Sequence, residues 1–211
     1  MVNIVLDRAH QSLYLGAWRL IYMTLTEEKI LNGIKYFVTH TRHVGRTKLF
    51  KLLYFWDFLH FKSYGMSVTG YDYYTYPFGP VPKKLYDEIA QNELPDFLKC
   101  NIVIIEDETE DNDEFKQFEI LLKNKKIDYD CLSPNERRLL EEVALVFQEA
   151  TAKDMTEITH LRNSPWDQTK QKGMFIPIDY FLAIDEETKL DREEIEERFL
   201  LQKELLADGR H

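Results

Sequence analysis

Apolar residues along this chain recur at two spacings, and the switches between them mark out its elements. From Thr24 onward, Ile30, Ile34, Phe37 and Val38 share one face of a 3.6-residue repeat, and Thr24 with Glu27 forms a capping-box pattern. This predicts a helix to about His40, closed by "RHVGR" with Gly45 as the break. The next run, "TKLFKLLYFWDFLHFKSYG", is stronger. Leu49, Leu52, Leu53, Trp56 and Leu59 make one wide stripe, and Phe50, Tyr54, Phe55, Phe58 and Phe61 cover most of the remaining circumference. A helix apolar nearly all round belongs at the centre of a core, and Gly65 is placed to stop it. Residues 68–76 then change to period-two character rich in aromatic and β-branched side chains, which predicts a strand.

"YPFGPVPKKLYDEI" follows. Pro77, Gly79 and Pro80 predict that the strand stops at Tyr76, with Pro82 in the first turn of a short helix buried along Val81, Leu85 and Ile89. Two strands are expected over 101–106 and 115–122, with the acidic "EDETEDNDE" between them as an exposed hairpin loop. Lacking a glycine turn, that run does not have the pattern of an EF-hand. Helix starts recur at Ser133-Pro134 with Glu136, at Thr151 with Asp154, and at "SPWD" (164–167). Leu139, Leu140, Val143 and Phe147 make the buried face of the first. A charged helix over 191–207 closes the chain, with Ile195, Phe199, Gln202 and Leu206 on one edge. The expectation is a mainly α (α+β) protein, a single compact helical domain with a small antiparallel sheet or hairpin. Its expected divisions are an N-terminal extension (1–22), the domain itself (23–184) and an acidic C-terminal helix or tail (185–211).

Charge and cysteine content narrow the classes. A net charge of −10 over 211 residues repels a phosphate backbone, so nucleic-acid binding would require a local basic patch. Cys100 and Cys131 are far apart, with no CxxC or Cys/His spacing, which points to free thiols in a reducing cytoplasm and no zinc. The apolar stretch 13–23 is interrupted by Gly16 and Arg19 and is too short to span a bilayer. Because Met23 opens a more orderly stretch, translation is expected to start there.

No metal, cofactor or catalytic residue is expected. The six histidines include no HxxxH or HExxH pair, and phosphate loops, dinucleotide fingerprints and nucleophile elbows are missing. An enzyme would need Asp57, His60 and His160 to assemble in space. Arg42, His43, Arg46, Lys48 and Lys51 form the one local basic cluster; Arg42, Arg46 and Lys48 are the candidates for operator DNA. The bland alternative is a solvated loop with two lysines snorkelling off the central helix. Alternation sends Tyr71 and Tyr73 to one face of their strand and Tyr74 and Tyr76 to the other, so one pair is free to show its rings. Aromatic rings beside a rigid turn suit a protein interface.

The order of three motifs resembles the Panacea domain of SocA-like antitoxins. "KLFKLLY" (48–54) matches its K-L-x-K-L-L-Y helix, "FGPV" (78–81) its Y/F-G-P-V helix start, and "THLRNSPW" (159–166) its T-H-x-x-x-P-W-type segment with one residue extra. The likeness spans residues 25–184. It implies a bacterial or phage type II antitoxin without catalytic residues, which neutralises a cognate toxin by protein–protein interaction. On that reading Tyr74, Tyr76, Phe78, Gly79 and Pro80 form part of the partner-binding surface, with His160 and Trp166 beside them. The toxin's identity and the oligomeric state are not encoded in any motif.

Overall fold

The computed structural model describes residues 23–106 and 118–207. The N-terminal extension, the acidic run between the later strands, the start of the second of those strands and the last four residues lie outside the described residues.

Helix α1 (Leu25–His40) begins where its capping box closes: Glu27 N–H donates to Thr24 Oγ1 at 3.2 Å and Thr24 N–H to Glu27 Oε2 at 2.8 Å. Helix α2 (Arg46–Tyr64) is the central element and ends at Gly65 in the left-handed conformation. Twelve of its 19 residues are buried, so neighbours must surround it. Those neighbours are α1, α5 (Pro134–Val146), α6 (Ala152–Thr159), the first hairpin and a 3-10 turn (Tyr180–Ala183). Leu59, expected in the buried stripe, is instead 36% exposed, because these neighbours leave its line of the helix uncovered.

Close approach fixes how α1 meets α2. A Cβ on Gly33 would stand 2.4 Å from the Trp56 ring, so only glycine admits the indole there. The Trp56 Nε1–H donates to the Glu136 carbonyl at 2.9 Å, which ties α2 to α5. Glu136 also completes the α5 capping box with Ser133 and accepts from Lys29 Nζ of α1 at 2.6 Å. One carboxylate thereby serves a helix start and an interhelical contact.

The first hairpin corrects the sequence reading. The strand does not end the pairing at Tyr76: β1 (Tyr73–Tyr76) turns through Pro77 and Phe78 into β2 (Gly79–Pro82), with Tyr76 opposite Gly79 and Tyr73 opposite Pro82. Pro80 and Pro82 are tolerated because Lys83 N–H donates to Asp72 O, which sets the phase of the ladder. Residues 79, 81 and 83 therefore face β1, while both prolines sit where an N–H would point outward. Pro82 precedes α3 (Lys83–Ala90) as its N-cap and is not within its first turn. The outer edge of β1 is covered by residues 175–178, through Thr75 N–H to Ile176 O and Ile178 N–H to Tyr73 O.

The strand expected from residue 68 starts only at Tyr73 for a physical reason. Buried Asp57 takes the N–H groups of Val68 (2.7 Å) and Thr69 (2.8 Å), the Thr69 hydroxyl and the Tyr73 hydroxyl (2.8 Å), which bends 66–69 around the carboxylate. Further on, α4 (Asp96–Lys99) leads into a second hairpin, β3 (Ile102–Glu106) with β4 (Phe118–Leu122). Helices α7 (Pro165–Lys170) and α8 (Arg192–Ala207) complete the described chain. Helix α8 lies along the end of α2: Ile195 is buried, Arg198 donates to Tyr64 O at 3.1 Å, and Gln202 brackets the backbone of Ser67. The described architecture is mostly helical, the mainly α (α+β) class that the periodicity predicts, with the second hairpin as expected and the first as an additional small antiparallel sheet. Among the described residues no helix is long and apolar enough to cross a membrane.

Candidate functional site

The corner built by the first hairpin gathers residues from four separate stretches of chain. Its tip is Pro77-Phe78, and Phe78 is 50% exposed. Gly79 has φ +107°, a region that side-chain-bearing residues avoid. A Cβ there would also stand 2.8 Å from Thr159 Oγ1 and 2.9 Å from Lys51 Nζ. The tip is held from below by Trp166, whose Nε1–H donates to Tyr76 O at 3.2 Å, while the Thr156 hydroxyl, which donates to Ala152 O at 2.8 Å, lies 3.3 Å from Phe78 O.

His160 stacks on Trp166 with centroids 3.7 Å apart and planes 7° from parallel, and Lys170 lies 4.7 Å from the same indole. Tyr76 packs between Tyr86 (5.1 Å) and Phe175 (5.0 Å), and Phe175 is itself 59% exposed. Tyr74 and Tyr76 are half-buried, whereas Tyr71 and Tyr73 are inside the core, so the alternation in the sequence sorted the two pairs correctly. The structure thus brings Tyr76, Phe78, Gly79, His160 and Trp166 together. Trp166, however, is only 1% exposed, and Gly79 and Pro80 are buried as well. These three shape the corner from inside, and the rings at its surface are Phe78, Phe175 and part of Tyr76.

Lys48 and Lys51 take no part in a basic surface, whereas Arg42 and His43 are exposed. Lys48 is fully buried, and its ammonium donates to the carbonyls of Arg42 (2.6 Å), Gln148 (3.4 Å) and Ala150 (2.6 Å). Arg42 pairs at the surface with Glu149, and Arg46 lies 5.4 Å from the Tyr86 ring. The snorkelling expected of Lys48 and Lys51 is overturned, because every side of α2 near them is covered. Lys51 is 1% exposed, and its amine makes no hydrogen bond or ion pair with a described residue. Burial pushes its pKa down from 10.5 to about 7. Burial also lowers the pKa of His160, helped by Lys51 and Lys170 and opposed by Asp167, and His160 Nε2 has no hydrogen-bond partner. Among the described residues, therefore, neither Lys51 Nζ nor His160 Nε2 has a hydrogen-bond partner behind the hairpin tip.

Asp57, His60 and His160 do not assemble. Asp57 is spent on residues 68, 69 and 73, and burial raises its pKa to about 6 against those four hydrogen bonds. His60 Nδ1 lies 2.7 Å from Met66 O, while His160 belongs to the hairpin corner. Among the described residues no group of three or more His, Cys, Asp or Glu side chains could hold a metal ion. Cys131 is buried and Cys100 exposed, both as free thiols.

Lys51, Thr159 and Phe175 were missed as members of the corner. The signal for Lys51 was present: a helix apolar on nearly every side leaves no solvated face to which a lysine can escape.

These features define a small, mainly helical α+β domain whose hairpin tip projects aromatic rings past a stacked His–Trp pair. Residues 49–167, more than half of the chain, match the family described as antitoxin SocA-like, Panacea domain, and the chain belongs to that family. The match is narrower than the 25–184 expected, but it contains all but the first three residues of the central helix, the first hairpin and the His160–Trp166 stack. No curated protein and no solved structure matched the chain.

Proposed function

We propose that this protein is an antitoxin that neutralises a cognate toxin by binding it directly, with the hairpin corner as part of the contact. One observation carries the reading: Phe78 stands half exposed on a tip fixed by Gly79 and Trp166. A large ring on a preorganised support loses little entropy on binding and makes a good interface anchor. Family membership supports a protein partner in a toxin–antitoxin setting. The DNA alternative is weakened at Lys48, whose ammonium is taken up by backbone carbonyls.

The test uses the reading frame beside this gene. It is expressed under tight induction with the wild-type chain, with Phe78→Asp, or alone, and surviving colonies are counted. Rescue by the wild type with a co-purifying complex, lost in a folded Phe78→Asp variant, is the expected result. Rescue and complex formation unchanged by Phe78→Asp would remove the corner from the contact. A harmless neighbour would remove the antitoxin reading itself.

A further inference from the structure

At the opposite end of α6 from His160, a groove of about 1180 Å³ separates β4 from the first turns of α2 and α6. The groove runs along residues 119–122 of β4, a shape that suits an extended segment. Its two walls differ in chemistry. One is the outer edge of β4. Lys123 N–H donates to Asn101 O across the hairpin, which sets the ladder phase and turns the N–H and C=O groups of Ile120 and Leu122 away from β3. Neither residue has a backbone hydrogen-bond partner on that side among the described residues. The other wall and the rim carry Lys125 and Lys153, and among the described residues Glu119 is the one carboxylate lining the space. On a chain of net charge −10 the described lining carries more positive than negative charge. Val38 and Val44 contribute apolar surface between the walls.

We propose that this groove receives an extended, acidic segment of a partner protein, which adds to β4 as a third strand. An unpaired strand edge supplies main-chain hydrogen bonds, and the opposite wall supplies the charge that selects the sequence. A nucleic acid fits less well, since the strand edge presents carbonyls as well as N–H groups and the exposed lining among the described residues offers only two lysines to a phosphate backbone. The proposal rests on the reading of this chain as a protein-binding domain and names a second contact on it, separate from the hairpin corner.

The test needs no toxin, so its failure is distinguishable from failure of the rescue experiment. A fluorescein-labelled heptapeptide alternating Glu with Val, and its Lys-for-Glu counterpart, are titrated into the full chain at low salt, with anisotropy and backbone amide spectra recorded. The acidic peptide is expected to bind saturably, about tenfold or more tighter than the basic one. The amides of Ile120 and Leu122 should shift and gain exchange protection. Charge reversal at exposed Lys125 and Lys153 (K125E/K153E) should weaken binding by about tenfold or more. Leu122→Pro removes one outward N–H without touching the ladder and should also weaken it; if that variant unfolds, the charge reversal decides. Equal binding of both peptides, or shifts that bypass Ile120 and Leu122, would overturn the proposal. So would a DNA duplex that competes the peptide off, or binding that emerges only once residues 107–117 are replaced by a short Gly/Ser turn.

Discussion

Replacing Lys51 with methionine should stabilise the protein, and by an amount that depends on pH. The amine is almost fully buried with no hydrogen bond to a described residue, and burial lowers its pKa from 10.5 to about 7. Between those two values the unfolded chain holds a proton that the folded chain releases, so stability rises with pH across that window. As pH falls from 10.5 the amine becomes steadily more destabilising, and the loss is complete just below pH 7. With ~1.36 kcal/mol for each pKa unit, the separation amounts to ~4 kcal/mol at pH 7. Methionine has nearly the same length, no charge and a flexible stem, so it fills the same space beside Gly79 and Thr159 at small packing cost. Urea unfolding of both proteins at pH 6, 7, 8 and 9, under conditions of reversible two-state behaviour, measures the difference. Lys51→Met should lead by up to ~4 kcal/mol at pH 6 and 7, and its lead should shrink by pH 9. A lead that does not change with pH, or a variant less stable at every pH, would show that the amine is charged and satisfied in the folded state. His160 faces Lys51 from the end of α6, with Lys170 and Asp167 nearby. The same series in a His160→Phe background separates their contributions.

Other substitutions probe the packing and the corner. Gly33→Ala should destabilise by ~1–3 kcal/mol in thermal or urea melts, since the clash with Trp56 outweighs the ~1 kcal/mol gain in helix propensity. Asp57→Ala should cost ~3 kcal/mol or more, because four buried donors lose their acceptor together; an unchanged melting temperature would refute that role. Phe78→Ala should leave stability within ~0.5 kcal/mol yet weaken toxin binding by ~1–2 kcal/mol in calorimetry. Trp166→Ala, in contrast, should lower stability by ~3–5 kcal/mol, since the whole indole lies inside.

Local signals carried most of the helical architecture. The capping boxes at Thr24, Ser133 and Thr151 and the glycine after Tyr64 act over a few residues, and the structure places helix ends at each of them. The tyrosine alternation was equally legible. Register was not: whether Pro80 and Pro82 break a strand or edge it depends on which way their missing N–H would point, and that is set by the partner strand. The meeting of Trp166 with Tyr76 joins residues 90 positions apart, so no periodicity could announce it. Lys48 and Lys51 show a different limit, in that residue type suggested solvent while the surrounding pattern required burial. The helix pattern was the better guide.

Glu136 bears on how the chain folds. Its carboxylate closes the turn that starts α5 and also meets Lys29, 107 positions earlier in the chain. The first of these contacts can form within a nascent helix, while the second must wait until a loop of more than a hundred residues has closed. Until then the negative charge at the start of α5 is compensated only by its own backbone. Completion of that single ion pair therefore reports the moment at which the N-terminal and C-terminal halves of the core find one another, and folding kinetics in a Lys29→Met variant would time it.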